Sequence, residues 1–487
     1  MVFSSLLFVY VFLPLCMLIY ALARGIKAKN IVLLVFSLLF YSWGEPTYVL
    51  LLLFMTFADW VFALLIDKSD SKAVGRKILI ILTCIVNLGI IGVFKYTGFF
   101  LGNIQSIFGL PSVIPDIVLP IGISFYTFQL LSYVIDVYRK EVPAQKNIFW
   151  LLLYSSLFHQ CIAGPIVRYK DVEREILSRR TSTHEITKGI SRFAVGLAKK
   201  SVLANMCGSL SDTLLVSDML INSSATEALT ELSSRSVVGL WMGVLFYMLQ
   251  IYLDFSAYSD MAIGMGLMVG FHFKENFNYP YSAKSVTDFW RRWHISLGSF
   301  FRDYVYIPLG GNRKGSVRTY FNILVVWLLT GLWHGASWNF VLWGLFFCVF
   351  LIIEKVGLLK LINRIPSVFS RIYLLIVVFF GWILFRFSDF RFIPVVLKGM
   401  FAGNGNALID FETRTLLISN FIFIIIAILA VTPLVKFISE KLRPKKGKTV
   451  YSVIYHIISA IIPIALLLLS TIMLVGDSYN PFLYFQF

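Results

Sequence analysis

The sequence is poor in charged residues, since only 14% of its 487 residues are Asp, Glu, Lys or Arg. Soluble globular domains contain about 25% charged residues, so this scarcity excludes an ordinary soluble protein. Hydrophobic residues instead make up 58% of the chain and aromatic residues 16%. Such abundant apolar surface also excludes a disordered chain. We therefore predict a polytopic integral membrane protein.

Cysteine is equally scarce, and the five cysteines are scattered through apolar stretches, which indicates neither a disulfide framework nor a zinc site. A phosphate-binding loop of the G-x-x-x-x-G-K-[ST] type is absent, and Gly264, Gly266 and Gly270 lack the spacing of a dinucleotide-binding motif. The net charge of +17 does not indicate nucleic acid, because the cations form short clusters between apolar runs. We expect no metal and no permanently bound cofactor.

Apolar segments recur along the whole chain, and a membrane-spanning helix needs about 20 such residues. Several segments are shorter, so we predict an all-α bundle of about 10 to 12 spans with additional re-entrant or interfacial helices. Residues 168–235 are polar and then amphipathic, which is typical of a surface-lying segment. We predict one membrane domain over residues 1–487, with residues 476–487 as a tail. The candidate segments lie near 2–22, 31–43, 47–66, 78–94, 117–135, 147–167, 236–253, 256–271, 320–333, 338–353, 371–386, 415–437 and 451–475.

Basic clusters predict the orientation of the spans. If these clusters are cytoplasmic, as the positive-inside rule requires, both ends of the chain lie outside the cell membrane. The expected location is therefore the bacterial cytoplasmic membrane, with extracytoplasmic N- and C-termini. The clusters comprise Arg24, Lys27 and Lys29, then Lys68, Lys72, Arg76 and Lys77, and finally Lys436, Lys441, Arg443, Lys445, Lys446 and Lys448.

His334 lies within the apolar context of residues 324–349, in the run GLWHGASWN at 331–339. Ionisable residues inside a membrane are costly and therefore indicate a functional site. Small neighbours such as Gly331 and Gly335 allow a backbone or a substrate to approach closely. Trp338 and Asn339 are the nearest side-chain donors in sequence. The alternative is a packing histidine that donates one hydrogen bond.

His294 lies in residues 285–308, where an apolar stripe recurs at helical spacing, namely Trp290, Trp293, Leu297, Phe301 and Tyr304. This pattern predicts an amphipathic helix, suited to the membrane interface or to a re-entrant path. His294 is then either an interfacial anchor or a second active-site histidine.

The loop GGNRKG at 310–315 follows this segment and carries Arg313 and Lys314. Its backbone and cations suit phosphate binding, although such a loop is equally typical of an ordinary cytoplasmic turn. Asp254 and Asp260 stand in apolar surroundings, and we predict that they stabilise the bundle through buried hydrogen bonds or pair with arginines.

These motifs together resemble the membrane-bound O-acyltransferase (MBOAT) family, in its AlgI/PatA-type bacterial branch of polysaccharide O-acetyltransferases. The resemblance runs nearly from end to end. The motifs that carry it are MVFSSLLFVYVFLPL at the start, FYTFQLLSYVIDVYR at 125–139, CIAGPIVRYKD at 161–171, YLDFSAYSDMAIG at 252–264, the block 285–315, and GLWHGASWN at 331–339.

The resemblance implies that His334 is the catalytic histidine and that His294 is the second histidine of the bacterial branch. It implies a helical bundle around a central acyl-transfer tunnel, which acetyl-CoA enters from the cytoplasm. Histidine suits the required chemistry, because a base must take the proton of the acceptor hydroxyl. Trp333, Trp338 and Asn339 are the expected tunnel residues. Arg291, Arg292, Arg313 and Lys314 are expected to hold the donor phosphates.

The sequence ends in NPFLYFQF at 480–487. This tail resembles the aromatic C-terminal motif of the small partner protein of teichoic-acid D-alanylation, in which a tyrosine is implicated as an acyl relay. By that resemblance Tyr484 would accept the acyl group and pass it to an extracytoplasmic transferase of the SGNH-hydrolase-like type. The alternative is an aromatic anchor at the membrane interface.

The leading hypothesis is therefore O-acetylation of an extracytoplasmic cell-envelope polysaccharide by an acetyltransferase that uses acetyl-CoA. The alternatives are D-alanyl transfer from a carrier-protein thioester, a transporter, and a scaffold that recruits an external enzyme. A transporter usually shows paired repeats with matching helix breaks, whereas the polar signals here concentrate in residues 252–339. The polysaccharide, the partner and the oligomeric state stay open.

Overall fold

The computed structural model describes residues 1–69, 74–111, 115, 117–161, 164–444, 449–476 and 482–483. Every regular element in these ranges is helical, which confirms the predicted all-α class. The α-helices are α1 Leu13–Leu22, α2 Gly25–Gly44, α3 Val49–Lys68, α4 Val74–Ile91, α5 Thr97–Phe108, α6 Ile123–Tyr138, α7 Ile148–Ser156, α8 Tyr169–Leu177, α9 Thr183–Ala198, α10 Asn205–Leu214, α11 Asp218–Ser223, α12 Ala225–Ser234, α13 Val237–Val269, α14 Val286–Arg292, α15 Ile295–Phe301, α16 Gly315–His334, α17 Trp338–Ile353, α18 Leu359–Ile362, α19 Ser367–Arg386, α20 Phe392–Met400, α21 Phe411–Ser419, α22 Phe421–Ala430, α23 Leu434–Leu442 and α24 Thr449–Gly476.

Short π-helical turns connect several of these helices, at Phe8–Phe12, Gly92–Tyr96, Lys199–Ala204, Arg302–Tyr306 and Glu354–Leu358. A single 3₁₀ turn at Pro280–Ser282 is also present in the described residues. Turns of this kind occur frequently at functional sites. Two of them contribute residues to cavities: Lys200 of Lys199–Ala204 and Arg302 of Arg302–Tyr306.

Seven of the described helices are long and apolar enough to cross a membrane, so the chain is a multi-pass membrane protein. Helices α21 and α22 make an eighth if they form one span, although they meet at a bend of 64°. This number is lower than the 10 to 12 estimated from the sequence, because several apolar segments form short helices. Helix α7 has 9 residues, and α6 and α17 have 16 each. The seven are α2, α3, the stretch Val74–Phe108, α13, α16, α19 and Tyr451–Gly476.

The contacts divide the chain into two compact units, whereas the prediction of one domain over residues 1–487 stays a prediction. The first unit contains Met1–Phe193 and Tyr258–Glu275, and the second contains Ala194–Ala257 and Asn276–Phe487. In the first unit α6 packs against α3 and α4, and α2 packs against α7. Buried polar pairs join these helices: the Asn87 amide donates to Asp59 at 2.8 Å, and Thr56 and Ser155 share a hydrogen bond at 2.9 Å.

Two charged clusters stabilise the end of the first unit. Arg192 pairs with Asp260 at 2.9 Å and with Glu275, which confirms the predicted pairing of Asp260 with an arginine. His272 lies between Glu175 and Glu185, with its two ring nitrogens 2.7 Å and 3.0 Å from their carboxylates.

The second unit is built around α16 and α17, which pack closely because of paired glycines. A side chain at Gly331 would collide with the carbonyl oxygen of Phe340, and one at Gly344 would collide with that of Trp327. The small residues around His334 therefore admit a neighbouring backbone, which is one of the two roles expected for them.

The segment 168–235 forms the helices α8 to α12, and its predicted position at the membrane surface stays a prediction. In the second unit α10 buries Cys207, Leu210 and Leu214, because these residues share one face at helical spacing and pack into the core.

Candidate active site

His334 is the last residue of α16 and is held among aromatic rings. The chain leaves the helix at Gly335, whose backbone is extended with φ −170° and ψ 155°. The imidazole is 7% exposed, and its centroid lies 5.1 Å from the Trp343 ring and 5.3 Å from the Phe385 ring. This enclosure keeps bulk water away from the ring and leaves it at the edge of a cavity described below.

His294 lies at a break in the segment 285–308, so the expected continuous amphipathic helix is wrong at this point. Helix α14 ends at Arg292, α15 begins at Ile295, and His294 between them has φ 44° and ψ 54°. The physical reason is Asn276, whose carbonyl and side-chain oxygens accept the backbone N–H groups of Ile295 and Ser296 at 2.9 and 3.1 Å. A non-glycine residue in the left-handed region is strained and often functional.

The surroundings of His294 keep its ring neutral. Its Nδ1 lies 3.3 Å from the Asn276 side-chain oxygen, an acceptor, which places the ring proton on Nδ1. Its Nε2 is enclosed and has no hydrogen-bond partner among the described residues. Burial lowers the pKa of His294 to about 3, and the Phe255 ring packs edge-on at 4.7 Å. His294 is therefore a buried acceptor and not a phosphate-binding cation.

The two histidines line one cavity of about 560 Å³, and both contact the Trp333 ring, which is absent from the lining. The Trp333 ring centroid lies 5.7 Å from that of His294 and 5.0 Å from that of His334. Four residues of the predicted stripe, Trp290, Trp293, Leu297 and Phe301, line this cavity, whereas the fifth, Tyr304, is absent from the lining. The remaining lining residues are Thr287, Arg291, Ile295, Gly298, Ser299, Arg302, Val326, Trp327, Thr330 and Leu351.

Glu354 fixes the start of α14, and with it the indole of Trp290. Its carboxylate is buried and accepts the backbone N–H groups of Val286 and Thr287 at 2.6 and 2.8 Å. The hydroxyls of Thr287 and Tyr373 donate to the same carboxylate at 2.6 and 3.2 Å. A carboxylate at a helix N-terminus is favourable, because it satisfies free N–H groups and meets the positive end of the helix dipole.

The four cations expected to hold donor phosphates lie in different places. Arg291 lines the cavity, whereas Arg292 pairs with Asp288 at 3.0 Å and is absent from the lining. Arg313 and Lys314 are exposed on their loop and are also absent from it. Arg302, which the sequence interpretation did not select, lines the cavity and pairs with Asp303 at 2.7 Å.

The three expected tunnel residues also differ. Trp333 is buried against both histidines but does not line the cavity. Trp338 is 51% exposed. Asn339 is buried, with its amide donating to the Leu384 carbonyl at 3.3 Å and its oxygen accepting from the Ser337 hydroxyl. Asn339 therefore links α17 to α19.

Tyr484, the expected acyl relay, lies outside the described residues, but the two residues before it are described. Phe482 is buried, and the backbone N–H of Leu483 donates to the Asp254 carboxylate at 2.8 Å. Asp254 also pairs with Lys200 at 2.7 Å, which confirms a structural interaction for Asp254 but with a lysine instead of an arginine.

Comparison with known proteins identifies the family of the chain. The family model of membrane-bound O-acyltransferases matches residues 139–393, a range that contains both histidines. The chain belongs to the membrane-bound O-acyltransferase family. This MBOAT chain is 34% identical to the probable alginate O-acetylase AlgI of Azotobacter vinelandii, over 100% of both chains.

Two further relatives place the enzyme within the family. The peptidoglycan O-acetyltransferase of Helicobacter pylori is 33% identical, with 84% of this chain and 81% of the relative covered. The teichoic acid D-alanyltransferase of Bacillus subtilis is 24% identical, with 55% and 68% covered. The protein is thus a membrane-bound O-acyltransferase, and its similarity to O-acetyltransferases extends further along the chain than its similarity to the D-alanyltransferase.

Sequence reasoning missed Asn276 and Glu354 as supports of the site, and Lys200 as the partner of Asp254. Each acts on a residue distant in sequence, and none stands in a motif whose spacing indicates its partner. A signal was available for Glu354, because it is an acidic residue at the end of the strongly apolar stretch 338–353.

Proposed function

We propose that this MBOAT enzyme transfers an acetyl group from cytoplasmic acetyl-CoA across the membrane for O-acetylation of an extracytoplasmic cell-envelope polysaccharide. One observation carries the proposal: His294 and His334 line a single aromatic cavity in a chain related over its full length to an alginate O-acetylase. The proposed location is the bacterial cytoplasmic membrane, with both termini extracytoplasmic. The proposed partner is an extracytoplasmic SGNH-hydrolase-like acetyltransferase.

In the proposed reaction His334 acts as the general base. It takes the proton of the acceptor hydroxyl while the hydroxyl oxygen attacks the carbonyl carbon of the thioester. The carbon–sulfur bond then breaks, an ester forms, and the thiolate takes the proton back from the imidazolium and leaves as coenzyme A. Enclosure among Trp333, Trp343 and Phe385 strengthens every electrostatic interaction with the reacting atoms, because little water competes.

His294 has a different proposed role, because its enclosed Nε2 is an acceptor that lacks a donor among the described residues. We assign it to orienting the acyl donor by accepting a hydrogen bond. Arg291 and Arg302 are the cations at the cavity wall, and we assign them to the donor phosphates.

Tyr484 is the proposed acceptor of the first transfer. Its phenol would form an acetyl ester, and a second hydroxyl would then take the acetyl group and restore the phenol. A phenol is a good leaving group for this onward step.

The test is to incubate the purified protein with acetyl-CoA and to measure the intact protein mass and the released coenzyme A, alongside His334→Ala and Tyr484→Phe. An acetyl adduct that is absent from both variants supports the histidine base and the tyrosine relay. An adduct lost only in His334→Ala moves the acceptor away from Tyr484. If no sample shows an adduct or releases coenzyme A, even with the extracytoplasmic partner added, acetyl-CoA is not the donor.

D-alanyl transfer is the second candidate, favoured by the similarity to the Bacillus subtilis D-alanyltransferase over half of the chain. Substituting a D-alanyl carrier protein for acetyl-CoA in the same assay distinguishes the two donors.

A further inference from the structure

Lys200 and Asp254 form a buried ion pair in the second unit. The Lys200 Nζ lies 2.7 Å from the Asp254 Oδ1, and both side chains are 3% exposed. Removing two charges from water is expensive, and replacing such a pair with apolar residues is often neutral or stabilising. Stability alone is therefore a weak reason for this pair, which calls for a further role.

The pair contacts the chain segment that follows α24. The second oxygen of Asp254, Oδ2, accepts the backbone N–H of Leu483 at 2.8 Å. The Lys200 ammonium lies 4.6 Å from the centroid of the Phe482 ring, which is buried. A cation over a desolvated aromatic face is attracted to it, so each member of the pair binds one of these two consecutive residues.

Lys200 and Asp254 lie on two different elements, one of which packs against α24. Lys200 belongs to the π-helical turn Lys199–Ala204, which packs against α24, and Asp254 belongs to α13. Lys200 and Leu483 line a polar cavity of about 690 Å³, together with Arg386.

The end of α19 connects this polar cavity to the candidate active site. Arg386 lines the polar cavity, where it pairs with Asp212 at 3.1 Å and with Asp218. The preceding residue, Phe385, packs its ring against His334. The segment bound by Lys200 and Asp254 therefore lies along a cavity that is lined by Arg386, the residue next in sequence to one that contacts His334.

We propose that Lys200 and Asp254 are positioning residues that hold Phe482 and Leu483 at the polar cavity during acyl transfer. The inference rests on the proposed function, in which the next residue in sequence, Tyr484, accepts the acetyl group. Loss of this anchor would slow the transfer to the segment without removing the catalytic histidine.

The experiment compares Asp254→Leu with the double variant Lys200→Met/Asp254→Leu in the full-length protein. The single variant leaves the Lys200 ammonium buried without its partner and lowers the melting temperature. The double variant removes both charges, so that stability returns toward that of the natural protein. In both variants the Leu483 amide has lost its acceptor.

Two readouts separate positioning from stability. Hydrogen exchange at the Leu483 amide, followed by mass spectrometry, is expected to rise about tenfold or more in the single and the double variant. Acetyl adduct formation from acetyl-CoA is expected to fall about tenfold in both. A purely structural pair predicts instead that adduct formation in the double variant recovers together with stability, although the Leu483 amide has lost its acceptor.

Asp260→Asn is the matched control, because Asp260 lies on the same helix and pairs with Arg192, which keeps Glu275 as a partner. It should leave Leu483 exchange and adduct formation unchanged. The anchor is overturned if Leu483 exchange is unaltered in the double variant, and the positioning role is overturned if exchange rises but the adduct persists. Failure of the proposed function appears separately, as absence of an adduct in the natural protein, while exchange still tests the anchor.

Discussion

The histidines of the two units stand in opposite surroundings. In the first unit His272 is half-exposed and lies between the carboxylates of Glu175 and Glu185. In the second unit His294 and His334 are buried among tryptophan and phenylalanine rings. Carboxylates favour the charged imidazolium, whereas burial in an apolar environment favours the neutral ring.

The difference separates a histidine that stabilises the fold from histidines that can do chemistry. Burial alone lowers the pKa of His272, but its hydrogen bonds to Glu175 and Glu185 outweigh that effect and raise the pKa above the ordinary value of 6.5. The surroundings of His272 therefore favour the charged imidazolium. A general base must begin without a proton, so these surroundings do not suit that role.

The largest effect is expected at His334. Replacing His334 with Ala should lower the rate of coenzyme A release by about a thousandfold, because the general base is lost. His334→Gln fills the space and should be as inactive, which separates the chemistry from packing. Retention of more than a tenth of the rate in both variants, with the fold intact by melting temperature, would remove His334 from the mechanism.

The next largest effect on activity is expected at His294, where an Asn variant can keep the left-handed backbone conformation. Asn tolerates the left-handed conformation of residue 294, whereas Ala does not. His294→Asn should keep the melting temperature and lower coenzyme A release by about a hundredfold. His294→Ala should lose about 1 kcal/mol of stability in addition, through backbone strain. Equal activity of His294→Asn and the natural protein would contradict a role in the reaction.

Substitution of Glu354 tests whether the carboxylate that holds the start of α14 affects activity as well as stability. Glu354→Gln replaces one acceptor oxygen by a donor and should cost about 2 kcal/mol of stability, because hydrogen bonds to a charged group are lost. Since α14 carries Trp290 and Arg291, coenzyme A release should fall about tenfold. Tyr373→Phe removes a single hydrogen bond from the same carboxylate and serves as the milder control, with thermal unfolding and release measured together.

The smallest effect on transfer is expected at His272. His272→Gln should leave coenzyme A release unchanged but alter the pH dependence of stability. Because the folded pKa is raised, the stability that His272 contributes is fully present below 6.5 and is lost as the pH rises through the folded value. Melting temperatures of the natural protein and the variant should therefore differ most below pH 6.5 and converge as the pH rises through the raised folded pKa. A difference that grows with pH would contradict the assignment.

The sequence predicts the all-α class of the fold and selects the two histidines, but it does not predict the cavity that both of them line. Periodicity shows that residues 285–308 bear a tryptophan stripe, yet the break at His294 depends on Asn276, which lies 18 residues earlier and leaves no mark in the pattern. The length of an apolar segment identifies a candidate span, but it does not predict that α6 and α17 have only 16 residues and α7 only 9. Long-range partners such as Glu354 with α14 arise from tertiary packing, which a single sequence does not display.

The glycine contact between α16 and α17 has a mechanical consequence. Gly331 and Gly344 bring two backbones together without intervening side chains, and a rigid joint of this kind resists sliding and rotation. The helix end that carries His334 is therefore a fixed reference point in the second unit. A larger residue at either glycine would force the two helices apart and displace His334 from the cavity wall.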